Sequence, residues 1–368
     1  MIKAFLLKAN LPALLEAVSR QMEVIAPLAM PGGPVYATWQ GEALDLEGRS
    51  LSPPTEFLLP HKEVLFHYVQ ESGRYSFKEE EAPPRLLFFI RPCDLHAIAV
   101  LDRVFGRPPS DQAYFRRRRA TALVVANCTI PGEECFCASL GSGPEVKDAC
   151  DLQITDLGDG YLCEAETAAG VLILNAGSGL LGPVLPSHLQ EKRRLIEQAG
   201  QAMPKMTADR IRESMKKADW EALGRQCLSC GGCTFVCPVC HCFSTLDLGI
   251  PDGERQRCRD TCILSGFSRL TGGANPRRTP AQRLQHWYQD KFEDIPQVTG
   301  LLGCVGCGRC HLTCPSAMDR TELKVALRLN QDHQNHQNQK HENQNNKNQN
   351  LWLSSPAADL PGGREART

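Results

Sequence analysis

Cys227-Leu-Ser-Cys230-Gly-Gly-Cys233-Thr-Phe-Val-Cys237-Pro238 and Cys304-Val-Gly-Cys307-Gly-Arg-Cys310-His-Leu-Thr-Cys314-Pro315 are the stretches that decide how this chain is read. Both follow C-x2-C-x2-C-x3-C-P. Three thiols spaced in this way can surround one small inorganic cube only where the backbone curls tightly. Gly231, Gly232, Gly306 and Gly308 supply the freedom for that curl. The fourth cysteine stands one turn further on and points away from the other three. The proline after it lacks a backbone donor and ends the loop.

This is the spacing by which bacterial ferredoxins hold [4Fe–4S] clusters, and in two-cluster proteins the fourth cysteine of each run ligates the other run's cluster. The crossed assignment gives Cys227, Cys230, Cys233 and Cys314 for one cluster, and Cys304, Cys307, Cys310 and Cys237 for the other. A single run could equally be a zinc site. Two complete copies, each ending in Cys-Pro, favour two clusters. A minimal ferredoxin has a short spacer between its runs. Here the long segment from Val239 to Gly303 intervenes, and it is expected to fold outward without disturbing the loops.

Composition bounds the rest. The 368 residues are enough for two or three domains. A formal net charge of −1 gives no sign of a nucleic-acid partner, and the Arg116–Arg119 run reads as a solvated face or docking patch. Eighteen cysteines fall below the density of a disulfide scaffold. Lys8 and Asn10 interrupt the N-terminal apolar residues, which argues against a signal peptide. No apolar stretch approaches the roughly eighteen residues of a membrane span. A cytoplasmic location, in an anaerobic or low-oxygen setting, is the expectation.

Residues 1–205 read as a mixed α/β domain. A helix is expected over Pro12–Gln21, strands over Val24–Leu28 and Val35–Trp39, a short helix over Glu63–Gln70, and a Pro/Glu-rich link over Lys78–Pro84. Leu86–Ile90 is a short apolar run typical of a buried strand. It ends at Arg91-Pro92-Cys93-Asp94, after which Leu95, Ile98, Leu101, Val104 and Phe105 continue with helical period. Leu123–Ala126 is a second such strand and ends at Asn127-Cys128; the next loop holds Cys135-Phe136-Cys137 and then glycines 141 and 143. Cys93, Cys128, Cys135 and Cys137 are thereby expected at one edge of a sheet, where α/β folds place ligands. Four convergent thiols suit a third [4Fe–4S] cluster or a four-cysteine zinc site. Taken singly, each would read as a small core residue.

Further on, an antiparallel meander is expected from Asp151–Ile154, Gly160–Glu166 and Val171–Leu174, with Cys150 and Cys163 structural. Ser187–Met203 and Ala208–Leu223 read as amphipathic helices leading to the cysteine runs. Cys240, Cys242, Cys258 and Cys262 read as packing residues, with ligation as the alternative. Ala281–Asp290 and Thr321–Asn330 read as helices. Gln331–Asn350, almost all Gln, Asn, His and Lys, has no apolar face to bury and is expected to be disordered, with a flexible end to Thr368.

At Arg91–Asp94, Asn127-Cys128, Cys135–Cys137, Thr155–Asp159, Cys227–Cys242, Gly272–Pro276 and Cys304–Pro315 the chain resembles the iron–sulfur beta subunit of cytoplasmic nickel–iron sulfhydrogenases, and the related iron–sulfur subunit of anaerobic sulfite reductase. The resemblance spans residues 80–320 or so. It implies an electron-transfer subunit, with a flavin-containing, NAD(P)H-binding subunit on one side and a catalytic subunit on the other. It also strengthens the expectation of a cluster in the Arg91–Asp94 domain. Neither the Gln/Asn tail nor Cys258 belongs to the family pattern.

The expected fold class is α+β. An N-terminal mixed α/β docking domain (1–205) precedes a helical linker and a two-cluster ferredoxin-like domain with a large insertion (206–330), followed by a disordered tail (331–368). No residue is needed as acid, base or nucleophile. The expected function is relay of single electrons. The alternative is an enzyme that reduces sulfur or polysulfide at a substrate-binding cluster of its own.

Overall fold

The computed structural model describes residues 2–316, and they lie within one compact unit, Met1–Asp319. The chain is a mixed α/β protein. Its main sheet has eight strands: β1 (Ile2–Leu7), β2 (Glu23–Leu28), β3 (Val35–Thr38), β6 (Arg85–Ile90), β7 (Thr121–Ala126), β8 (Leu152–Asp156), β9 (Gly160–Ala165) and β10 (Leu181–Gly182). Their order is β10-β1-β9-β8-β7-β6-β2-β3. The middle pairs β2–β6, β6–β7 and β7–β8 are parallel, and the flanking pairs are antiparallel.

Both faces of the parallel centre are covered, which is why its strands read as unbroken apolar runs. The helices Leu11–Ser19 and Ala168–Ala176 bury Leu14, Leu15, Val18, Ile173 and Leu174 on one face. The helix Pro92–Phe105 buries Leu95, Ile98, Leu101 and Phe105 on the other. Strand β6 shows the alternation and its interruption. Leu86 and Phe88 face the first core and Leu87 the second. Phe89 then takes φ 63°, the register slips between Phe88 and Ile90, and Phe89 returns to the first core while Ile90 joins the second. A phenylalanine in the left-handed region is strained. It is held by Tyr36, whose hydroxyl donates to Phe89 O at 3.0 Å. The slip sits immediately before Arg91-Pro92-Cys93, with Pro92 in the first turn of the helix.

A second sheet departs from the expected pattern. β4 (Lys62–Glu71) and β5 (Arg74–Lys78) form a hairpin, and β11 (Phe243–Leu248) and β12 (Gly253–Arg259) form another; the order is β11-β12-β4-β5. Residues 63–70 are therefore strand, not helix. Phe66 and Tyr68 share a face of β4, and β12 pairs with it from Lys62↔Cys258 to Tyr68↔Gly253, with a register slip at Leu65 between Val64 and Phe66. The two-residue turn Ser72-Gly73 has φ of 51° and 77°, the twisted geometry that suits hairpins. The insertion thus folds back onto the N-terminal half rather than simply outward.

Four further expectations change. Residues 171–174 lie in the helix Ala168–Ala176, whose cap Thr167 accepts from Gly170 N at 3.3 Å. A short apolar run does not by itself distinguish strand from helix. Residues 208–223 form two helices, Ala208–Lys217 and Trp220–Gln226; Asp219 caps the second by accepting from Ala222 N at 2.9 Å. The helix over Pro280–Gln289 runs on through a wider turn, Asp290–Asp294, to Ile295–Thr299. The Arg116–Arg119 run is not merely solvated, since Arg116 pairs with Glu79, Arg117 with Glu63 and Arg118 with Asp102. Thr321–Asn330 and the 331–368 tail lie outside the described residues. Among the described residues no helix is long and apolar enough to cross a membrane.

Candidate metal centres

The two cysteine runs share one backbone. In the first, Ser229 and Gly231 adopt φ of 51° and 77°; in the second, the equivalent Gly306 and Gly308 adopt 61° and 72°. Each run then closes with a short helical turn, Gly232–Phe235 and Arg309–Thr313. Repeated left-handed residues give the tight curl that the spacing demands.

The first run borders a cavity lined by Cys227, Cys230 and Cys233, and Cys314 of the second run reaches the same cavity. Cys310 borders it too, so the cavity does not separate Cys310 from the first group. Leu228, Ile263, Leu284, Trp287 and Tyr288 give it a mainly apolar wall, with Ser229 and Ser316 also lining it. Cys237 stands near both runs, close enough to act on Cys233 of its own run. Its charge acts on both Cys304 and Cys307.

The second run is built into the sheet edge. Gly306 approaches Cys137 so closely that a β-carbon would lie 2.7 Å from Cys137 N, and one on Gly308 would lie 2.4 Å from Glu134 O. Phe136 N donates to Gly306 O at 2.8 Å, and Ser142 Oγ to Val305 O at 2.8 Å. Arg309, 1% exposed, makes a bidentate pair with fully buried Asp94 at 2.5 and 2.9 Å and donates to Ser50 O at 2.8 Å. Arg49 donates to Cys135 Sγ at 2.8 Å and to the Cys307 carbonyl.

Cys93, Cys128, Cys135 and Cys137 line one cavity of about 170 Å³ at the carboxyl ends of β6 and β7. Cys93 comes from the first turn after β6, and Cys128 follows β7. Asn127 fixes that exit, donating to Thr155 Oγ1 at 2.9 Å and accepting from Val146 N at 2.8 Å. Gly143 lets the loop close, because a β-carbon there would lie 2.8 Å from Cys137 Sγ.

All eighteen cysteines are free, so these sulfurs converge without forming disulfides. Burial, with neighbouring Cys227 and Cys237 next, pushes the Cys233 thiol up to about 12. Burial likewise takes Cys304 up to about 12 and raises Cys93, Cys128, Cys137 and Cys307. Such thiols become thiolates when a cationic centre replaces the proton. Thiols gathered at these two cavities are the donor chemistry that a thiolate-bound inorganic group takes. Among the described residues no three His, Cys, Asp or Glu groups close on a single-ion site. A zinc ion would require sulfurs about 2.3 Å from one point.

The other cysteines have different surroundings. Cys150 and Cys163 belong to the apolar cores. Cys258 sits in β12 opposite Ser244 and Lys62. Cys240 is hydrogen-bonded to Cys237, and Cys242 to Cys262. Arg49, Asp94, Lys291 and Arg309 contribute to these sites without being evident as contributors in the sequence. Asp94, within the Arg91–Asp94 motif, and Arg309, inside a cysteine run, carry a local signal.

A family model described as a 4Fe-4S dicluster domain matches residues 226–318. Sulfhydrogenase 2 subunit beta of Pyrococcus furiosus is 29% identical over 288 residues, covering 76% of this chain and 84% of that protein. The chain is a homologue of a sulfhydrogenase beta subunit with a 4Fe–4S dicluster domain, an iron–sulfur electron-transfer subunit of the oxidoreductase class.

Proposed function

We propose that this chain is a cytoplasmic three-cluster relay, linking a flavin-containing, NAD(P)H-binding subunit with a catalytic subunit of hydrogenase or sulfite/sulfur-reductase type. In this reading Cys227, Cys230, Cys233 and Cys314 hold one [4Fe–4S] cluster. Cys304, Cys307, Cys310 and Cys237 hold a second, and Cys93, Cys128, Cys135 and Cys137 a third. The groups, when bound, supply one-electron transfer at potentials set by charge, hydrogen bonding and burial. The protein's part is to fix the thiolates, exclude water and aim donors at sulfur. Residues 1–205 act as the docking part and residues from 206 to about 330 as the dicluster part.

The observation that carries the proposal is the position of the second run between the other two sulfur groups. Cys307 O lies 3.8 Å from Cys135 Sγ, while Cys314 reaches the first run's cavity. That arrangement supports a continuous path.

One observation favours a second reading, in which the third cluster binds a sulfur or polysulfide substrate. Arg49 and Arg91 line the third cavity beside Ile130, which is 74% exposed. Anaerobic turnover assays separate the two. The relay predicts that the isolated chain accepts electrons without turning over sulfur compounds, and that NAD(P)H reduces it only when a flavoprotein subunit is added. Steady sulfide production by the isolated chain with an artificial donor would overturn the relay.

A further inference from the structure

Lys291 is 2% exposed, and it lies on the wide turn Asp290–Asp294 that interrupts an otherwise helical rod. Single turns of this wider helix are rare and recur at functional sites. Its ammonium donates to Cys237 Sγ at 3.3 Å, Cys240 Sγ at 3.4 Å and Gly303 O at 3.3 Å. An ammonium has three hydrogens, and here it has three acceptors. One helical turn earlier stands Trp287, whose ring centre lies 5.1 Å from the same nitrogen and which lines the first run's cavity. The lysine backbone is anchored as well: Gly303 N donates to Lys291 O at 2.8 Å, and a β-carbon on Gly303 would lie 2.8 Å from Lys291 Cα.

A buried ammonium is costly unless an anionic partner answers it. Neutral thiols do not, and the neighbouring Asp290 carboxylate acts on Lys291 without a direct ion pair among the described residues. A thiolate-ligated cluster does, and its reduced form carries one more negative charge than its oxidised form. A fixed cation in a poorly screened interior therefore favours reduction. Resting on the three-cluster reading above, we propose that Lys291 is a positioning residue and fixed counter-charge for the cluster held by Cys304, Cys307, Cys310 and Cys237, raising its reduction potential above that of the same site without it. The contact to Cys237 makes this cluster the main beneficiary. The cluster of the first run, whose Cys233 also feels the Lys291 charge but receives no hydrogen bond from it, is affected less.

The test is an EPR-monitored redox titration of the anaerobically purified full chain as wild type, Lys291→Arg and Lys291→Met, after iron and sulfide have been counted. Lys291→Met should lower one midpoint by at least the equivalent of a tenfold change in equilibrium constant, about 59 mV for one electron. Lys291→Arg should recover most of that shift. A Met variant with full iron and unmoved midpoints would overturn the proposal, as would an Arg variant displaced as far as Met. Should the Met variant lose its iron, the wild-type chain labelled with 15N-lysine decides the matter. Hyperfine coupling from a lysine nitrogen to a reduced cluster supports the assignment, and its absence refutes it. Wild-type chain without iron would refute the cluster reading itself, a failure distinguishable from that of the lysine alone.

Discussion

The two cysteine runs have the same spacing and the same pair of left-handed residues, yet they occupy different environments. Cys230 is exposed and Leu228 is 67% exposed. In the second run Val305, Cys307 and Arg309 are all buried. Position for position, the first run has Ser229 and Gly232 where the second has Gly306 and Arg309. These two exchanges contribute directly to the difference. Glycine at 306 allows backbone contact with Cys137, and arginine at 309 reaches the buried Asp94. One local motif thus serves as an outward-facing terminal in one copy and as an interior joint in the other.

The largest expected effect follows from the joint. Arg309→Ala leaves Asp94 buried without its partner and should cost about 3–5 kcal/mol in urea unfolding. A loss below about 1 kcal/mol would mean that the pair does not set the second run apart. Next comes Gly306→Ser, which copies the first run's residue into the second. A left-handed serine costs about 1–2 kcal/mol, and the clash with Cys137 adds to it, so cluster content at the second and third sites should fall; retention of full iron would contradict the packing argument. The reverse exchange, Ser229→Gly, relieves the left-handed strain but gives up the bond from Arg283 to Ser229 Oγ at 3.0 Å. Its net effect on the denaturation midpoint should stay within about 1 kcal/mol. Smallest in stability is Leu228→Ala, within about 0.5 kcal/mol. If the first run faces a partner, this exchange still slows electron transfer to that partner in stopped-flow mixing. An unchanged rate would remove Leu228 from the contact.

Local chemistry is readable from the sequence; distant pairing is not. The cysteine spacing, the strand Leu86–Ile90 and the helix opened by Pro92 are each fixed within a dozen neighbouring residues. β4 reads as a helix although its hairpin partner β5 follows at once through Ser72-Gly73; its other partner, β12, lies in the insertion far along the chain. The Gly249–Gly253 stretch, with its Pro-Asp-Gly, does carry a turn signal that points to the β11–β12 hairpin. Ala168–Ala176 reads partly as a strand because an apolar run has no period to interpret. Lys291 is silent for a different reason. Its role depends on where Cys237 and Gly303 arrive in space, and nothing in the sequence around a single lysine records that.

Iron and acid-labile sulfide, counted per polypeptide in anaerobically purified full chain, test the relay most directly. Three clusters predict about twelve of each, falling to about eight in Cys135→Ser/Cys137→Ser. About eight in the unaltered chain would leave the Cys93–Cys137 cavity without a cluster and cut the path to its two ferredoxin-type sites. Bound zinc with almost no iron would contradict the account as a whole.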